Sequence, residues 1–479
     1  MKKSTRFLAV LSAFIMILAL TSCSLIGSLF EKSPSEKTEA QELMTKINDK
    51  MGSYDSFEIA LTMDIKYFVD DVAASAYTEG KQMTTGLVSG DFQTYTKMET
   101  EVSSDDLDEK QRVSSKEGYY DGKYFLTTKS DYYNQKIYSP LTAQEAYEFV
   151  MEHGMSFSGY LNCENAKVST KDNGDVVFAC SGYSKAALEN IYDYFGVDDS
   201  IFDVEISDVE VTITADSSYC VKEVSLDFVF EKSDNSNKAN EMKIVEKYSA
   251  FNETHIDPAM INLKNHTEVY DIRILREIDD MLNDLYDSSY EQFDLSVSQT
   301  EKMMGKTYSK EGSSEVVYGE NENGYFYEIK KDNGDIIKYE DGYEKLINSN
   351  GGTDGSEACS EEEARTYVES LINTGGFYIP GVTDIEKISE GVYQFVCSNK
   401  AAYETVYQGW RLGGVNQTIT FTVDKGKIVK IVSQVYISGY YVNGNQYYGA
   451  SVTIDSIVDF EPQKNDNNFV SVRSDEFFS

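Results

Sequence analysis

FACSGYSKAALENIY (Phe178–Tyr192) begins as an alternating apolar run and ends with a helical pattern. The chain writes it again as FVCSNKAAYETVY (Phe395–Tyr407). Cysteine, serine, Lys-Ala-Ala, glutamate and tyrosine recur in order, with two extra residues after the serine of the first copy. The match extends outward from the two cysteines. Upstream, Thr142–Glu145 and Ser360–Glu363 both read as capping boxes, in which hydroxyl and glutamate satisfy each other's backbone donors at a helix start. Downstream, Glu210–Phe230 and Thr418–Ile437 each alternate apolar and polar residues on both sides of a tight turn, the pattern of an antiparallel hairpin.

Each copy also opens alike. Leu43, Met44, Ile47 and Met51 make one helical stripe, followed by the alternation Phe57, Ile59, Leu61, Met63, Ile65. Ile274, Ile278, Leu282 and Leu285 make the second stripe, followed by Phe293, Leu295 and Val297. Turn signals at Asp121-Gly122, Asn323-Gly324 and Asn333-Gly334 punctuate the meanders between. The cysteines lie 217 residues apart, too long a period for a solenoid and suited to a duplicated domain. The boundary is expected in Ala250–Val269, where alternation stops and Pro258 interrupts. The expected organisation is a leader over 1–22, a tether over 23–40, domains over 41–262 and 266–465, and a tail over 466–479. The expected class is α+β.

Lysine and arginine total 43 against 81 acidic residues, a net charge of −38. Such a polyanion repels nucleic acid at long range, which excludes a nucleic-acid function. The N-terminus carries Lys2, Lys3 and Arg6 before the apolar run Phe7–Leu20, too short for a span, which needs roughly 20 residues. It reads as a secretory leader. Leu20-Thr21-Ser22-Cys23 resembles the bacterial lipobox, whose cysteine is lipidated and becomes residue one. The expected location is the outer face of the cell membrane, held through Cys23. Low proline and few arginines favour a Gram-positive surface.

Five further cysteines, an odd number, cannot all pair. A two-residue Asn173-Gly174 turn would set Cys180 opposite Lys167 rather than Cys163. Cys180 and Cys397 are therefore expected as small buried hydrophobes, and the thiols as mainly free.

A lipobox followed by a helix-led run of antiparallel strands with short inserted helices resembles the bacterial lipoprotein-carrier superfamily of LolA, LolB and LppX-like proteins. Tyr119–Tyr124 and Tyr318–Tyr327 add hairpins of the kind seen in related Gram-positive lipoproteins. The resemblance implies two tandem curved antiparallel half-barrels, each with a leading helix and an apolar cavity for acyl chains. It implies no catalytic residues. The doubled, strongly acidic chain departs from a one-cavity shuttle.

Catalytic chemistry finds little material. His153, His255 and His266 stand in no zinc-protease spacing, and no nucleophile elbow occurs. Gly319–Lys330 lacks the acidic ends of a calcium loop, and a hairpin turn describes it better. No enzyme activity, metal or cofactor is expected. The tyrosines at 440, 441, 447 and 448 suit either an aromatic platform for glycans or peptides, or ordinary cross-strand pairing. The expected function is an extracellular protein holding a lipid or other apolar ligand. Phe228, Phe230, Phe421 and Trp410 are the candidate lining residues. The alternative is a surface interaction or envelope-stress sensing module without a cavity; no protein partner is named by the sequence.

Cys23→Ala should shift the protein from membrane to medium, or leave an unprocessed precursor, as read by fractionation and intact mass. Membrane retention of a cleaved variant contradicts the anchor.

Overall fold

In the computed structural model the described residues are 38–69, 72–104, 110–130, 133–152, 157–161, 163–183, 204–232, 240–373, 376–398, 410–443 and 446–460. Cys23 and both Lys-Ala-Ala segments lie outside them. The chain forms two compact units that meet in sequence at His266 and Thr267.

The first unit starts with helix α1 (Glu39–Met51), whose Thr38 and Gln41 form a capping box. Glu39 and Glu42 in its first turn and Lys50 in its last complement the helix dipole. Six strands follow as a meander: β1 (Phe57–Val69), β2 (Val72–Thr85), β3 (Gln93–Ser104), β4 (Gln111–Tyr120), β5 (Lys123–Lys129) and β6 (Asn134–Pro140). Helix α2 (Ala143–Glu152), capped by Thr142 and Glu145, leads to β7 (Lys167–Thr170) and β8 (Val176–Cys180). Strands β9 (Val204–Ala215), β10 (Val221–Lys232) and β11 (Asn240–Ser249) complete it. The strand order is β6-β5-β4-β3-β2-β1-β11-β10-β9-β8-β7, with the last strand returning to pair with the first.

The second unit opens with the two-residue strand β12 (Thr267–Glu268) and helix α3 (Ile274–Tyr286). Its meander is β13 (Tyr290–Met303), β14 (Lys306–Asn321), β15 (Gly324–Lys331), β16 (Ile336–Glu340), β17 (Tyr343–Ile347) and β18 (Thr353–Ala358). Helix α4 (Glu361–Ile372) follows, with Ser360 and Glu363 as its capping box. Then come β19 (Val382–Ser389), β20 (Val392–Cys397), β21 (Trp410–Asp424), β22 (Lys427–Asn443) and β23 (Gln446–Asp459). The order is β18-β17-β16-β15-β14-β13-β23-β22-β21-β20-β19, the same connectivity as in the first unit. Both sheets are open, so the chain is mostly β with few helices, where the sequence suggested an α+β balance.

The helices define an inner face on each sheet. Leu43, Met44, Ile47 and Met51 are buried in one core cluster with Ile59, Leu61 and Met63 of β1 and Val224, Leu226 and Phe228 of β10. Each such aliphatic side chain contributes about 1.5–3 kcal/mol on burial. In the second unit the stripe of Ile274, Ile278, Leu282 and Leu285 is buried in the same way. The outer face of β2–β5 carries Met83, Tyr95 and Phe125, and the segment after β11 lies over them through Ile256, Met260 and Leu263. Gly118 is required there, because a Cβ would stand 2.2 Å from the Thr94 carbonyl.

The expectation of free thiols fails at one pair: Cys163 and Cys180 form a disulfide, with Cα atoms 6.1 Å apart. The turn is a residue longer than a two-residue Asn-Gly hairpin. Lys171 and Asp175 close it, and Lys167 faces Ala179. Beyond the strand Gly182 adopts φ 75°. The two segments stay joined past the strand, Asn165 and Glu164 donating their backbone N–H groups to the Ser181 and Gly182 carbonyls, and Cys163 there meets Cys180. Cys220, Cys359 and Cys397 remain free.

Replacing both bridged cysteines with alanine should cost about 3 kcal/mol for a loop of this length, read by denaturant titration. Reduced wild-type protein should match the variant.

Candidate functional site

The inner faces are where an apolar ligand would lie. Phe228, 1% exposed, sits between Met242 of β11 and Val209 of β9. Phe421, also 1% exposed, packs edge-to-face with Phe395 and Phe377 at centroid distances of 5.6 and 5.2 Å. Such pairs contribute about 0.5–1.5 kcal/mol beyond area burial. Neither ring has surface open to an occupant. The backbones of Phe230 and Trp410 belong to β10 and β21, opposite Asn240 and Tyr441, but their side chains lie outside the described residues. The four candidates are thus not assembled into one site: two belong to each unit.

The groups that stand out instead are polar. In the second unit Gln417 is 1% exposed, and neither its carbonyl oxygen nor its amide nitrogen has a hydrogen-bond partner. Along one row of the inner face Gln417 of β21 neighbours Val435 of β22, then Ile454 of β23, then Gln299 of β13. The Gln299 side-chain oxygen is also buried without a partner, as is the Ser433 hydroxyl one row away. Three strand spacings separate the glutamines, about 14 Å. Between them lies the aliphatic cluster of Val415, Val435, Ile437, Val452 and Ile454. An orphaned buried polar group costs about 1–3 kcal/mol, so these atoms are unfavourable unless something bonds them.

The first unit has polar groups on its inner face too. Thr78 and Thr100 share a 2.9 Å hydrogen bond at full burial. Gln82 donates to Thr84, while its side-chain oxygen has no partner, and neither has the Ser115 hydroxyl. Glu246 of β11 is 3% exposed beside Leu61 and Val224, and Tyr248 donates its hydroxyl to it at 2.7 Å. Burial pushes the Glu246 carboxyl up to about 7, opposed by that hydrogen bond. Single glutamines and a glutamate in alternating strands read as solvent-facing, so nothing in the sequence marked them. Their parity relative to the apolar neighbours was the available signal.

The other groups considered for chemistry fall apart in space. His266 joins Thr127 at 2.7 Å and meets the Phe125 ring edge-on. Burial holds its pKa below the ordinary value, helped by Lys136 and Lys116. His153 lies outside the described residues. Gly319–Lys330 forms the β14–β15 hairpin. Among the described residues no three metal-ligating side chains converge. Cys397 is buried, and its thiol is pushed up to about 12 by burial.

No family model matches the chain. No curated protein matches it. Among solved structures, an outer membrane lipoprotein-sorting protein domain from Vibrio parahaemolyticus aligns at 11% identity and TM-score 0.16, over 43% of this chain and 97% of that one. An AttH protein from Nitrosomonas europaea aligns at 8% identity and TM-score 0.11, over 89% and 99%. A porin-like protein from Bacteroides uniformis gives 8% and 0.12, over 85% and 96%. Likenesses this low carry no argument about activity.

Glu246 makes stability depend on pH. Its folded value near 7 exceeds the ordinary 4.5, so the folded state binds the extra proton between them. Stability is fully present below pH 4.5 and falls as pH rises through 7, by about 3 kcal/mol at 1.36 kcal/mol per unit. Glu246→Gln should remove that slope and be more stable than wild type at pH 8, measured by urea titration across pH. An unchanged slope contradicts the assignment.

Proposed function

We propose that this chain is a lipid-anchored envelope protein that holds an amphiphile, an apolar chain with a hydrogen-bonding head, against the inner face of its second unit. Gln417 carries the reading: a fully buried amide with both polar atoms unpartnered beside an aliphatic cluster. The aliphatic row would take the apolar chain, and Gln417, Ser433 or Gln299 would bond the head. Sheets of eleven strands in each unit support a half-barrel, because twist of about 20–25° per strand makes wide open sheets curl. The Cys163–Cys180 disulfide supports a location outside the reducing cytosol. The leader and Cys23 supply the anchor. No enzymatic role is assigned.

The second reading, an interaction or envelope-stress sensing module without a cavity, is favoured by the tight packing of Phe228 and Phe421. It differs in what Gln417 does. In that reading the amide is merely a cost.

Gln417→Met keeps the side-chain length and removes both orphaned atoms. The ligand-free variant should gain about 1–3 kcal/mol. It should also bind a fluorescent fatty acid at least tenfold more weakly than wild type. Wild-type protein that binds no such probe, or equal binding by the variant, overturns the amphiphile reading.

A further inference from the structure

The outer face of the second unit carries a groove of about 570 Å³ at the far end of β13, β22 and β23. We infer that it binds a short glycan bearing one acidic group. The groove lies on the sheet face opposite the buried glutamines, so it stands independently of the amphiphile reading.

The register builds it. Lys302 of β13 faces Ser451 of β23, which faces Ser438 of β22. One row to either side stand Tyr436, opposite Thr453, and Tyr440, opposite Gly449. Tyr436 and Tyr440 are 45% and 55% exposed, on the same side of one strand and about 13 Å apart. That separation suits an oligosaccharide rather than a single ring. Beside Tyr440 the floor is low. A Cβ placed at Gly449 meets nothing within 4 Å, so a side chain there would project into open space.

The charge is unusual for this chain. Although the sequence has 81 acidic residues, none of the described residues lining the groove is acidic, while Lys302 and Lys306 both line it. Neither lysine has an ion-pair partner among the described residues. Aromatic faces stack on the apolar faces of sugar rings, hydroxyls of Ser438, Ser451 and Thr307 match sugar hydroxyls, and the ammonium groups fit a carboxylate or phosphate. Other occupants fit less well. A peptide adding as a strand finds no free edge, because β13, β22 and β23 are paired on both sides. A polyanion meets the −38 field of the whole molecule, whereas a single charge meets chiefly the two lysines.

The test is calorimetric titration of the full chain. The probes are the disaccharide of N-acetylglucosamine and N-acetylmuramic acid, which carries one carboxylate; maltose phosphate, which carries a phosphate; and neutral chitobiose. At least one acidic probe should bind ten times more tightly than chitobiose, and the tighter of the two identifies the acidic group. Lys302→Gln with Lys306→Gln should bring that probe down to the chitobiose level. Tyr440→Ala should weaken every probe. Gly449→Val fills the floor on a strand that tolerates valine, and should abolish binding with an unchanged melting temperature. Equal affinity for acidic and neutral probes, no binding at all, or full binding by Gly449→Val overturns the proposal. So does tighter binding of polygalacturonate than of the disaccharides.

Discussion

Each unit depends on one long-range constraint: the pairing of its last strand with its first. In the first unit Glu58 lies opposite Ser249 and Lys66 opposite Glu241, so residues 175 to 191 positions apart share a continuous ladder. In the second, Asp294 lies opposite Asp459 and Met303 opposite Ala450. Two meanders that would otherwise be separate sheets become one. The amphipathic helix preceding the first strand then finds a surface wide enough to cover its apolar stripe. Without the closing pair, the faces of β1 and β10 that bury α1 would not be contiguous. Such pairing carries a large loop-closure cost, offset by the hydrophobic area that the helix and both meanders remove from water together.

The inner faces are not uniformly apolar. The first unit buries threonines, glutamine and a carboxyl on its inner face, and the second buries Gln417 and Ser433 beside aliphatic side chains. Such groups weaken a core that serves only to hold the fold. Glu246 illustrates the cost, since it is held partly neutral at a pH where a surface glutamate is ionised. The aromatic triad of Phe377, Phe395 and Phe421 shows the opposite case, with edge-to-face rings and no exposed surface. Ligand-like features and packed core thus occupy different parts of one face.

Much of the fold was legible in the sequence because it rests on local periodicity. The stripe from Leu43 to Met51, the two capping boxes at Thr142 and Ser360, and the alternation of Val224, Leu226 and Phe228 each depend on neighbours within a few residues. The candidate site was much less legible. Phe228 and Phe421 were marked by alternation, which identifies a buried face but not what covers it. Gln417 was invisible because a glutamine between Val415 and Ile419 looks like an ordinary polar position, until its parity is set against the core. The Cys163–Cys180 bridge was misread because a three-residue turn replaced an assumed two-residue hairpin.

By itself the sequence determined the strands and helices, their alternating faces, the acidic surface and the expectation of an N-terminal leader, since all of these are written in spacing and composition. Only the tertiary structure decided which strands are neighbours, which cysteines meet, and that Lys302, Tyr436, Tyr440 and Gly449 share one groove. The physical reason is register. A local pattern is set by residues two to four apart, whereas the partner across a sheet is set by turn length and by the closing of the chain's ends, and a change of one residue moves a side chain to the other face.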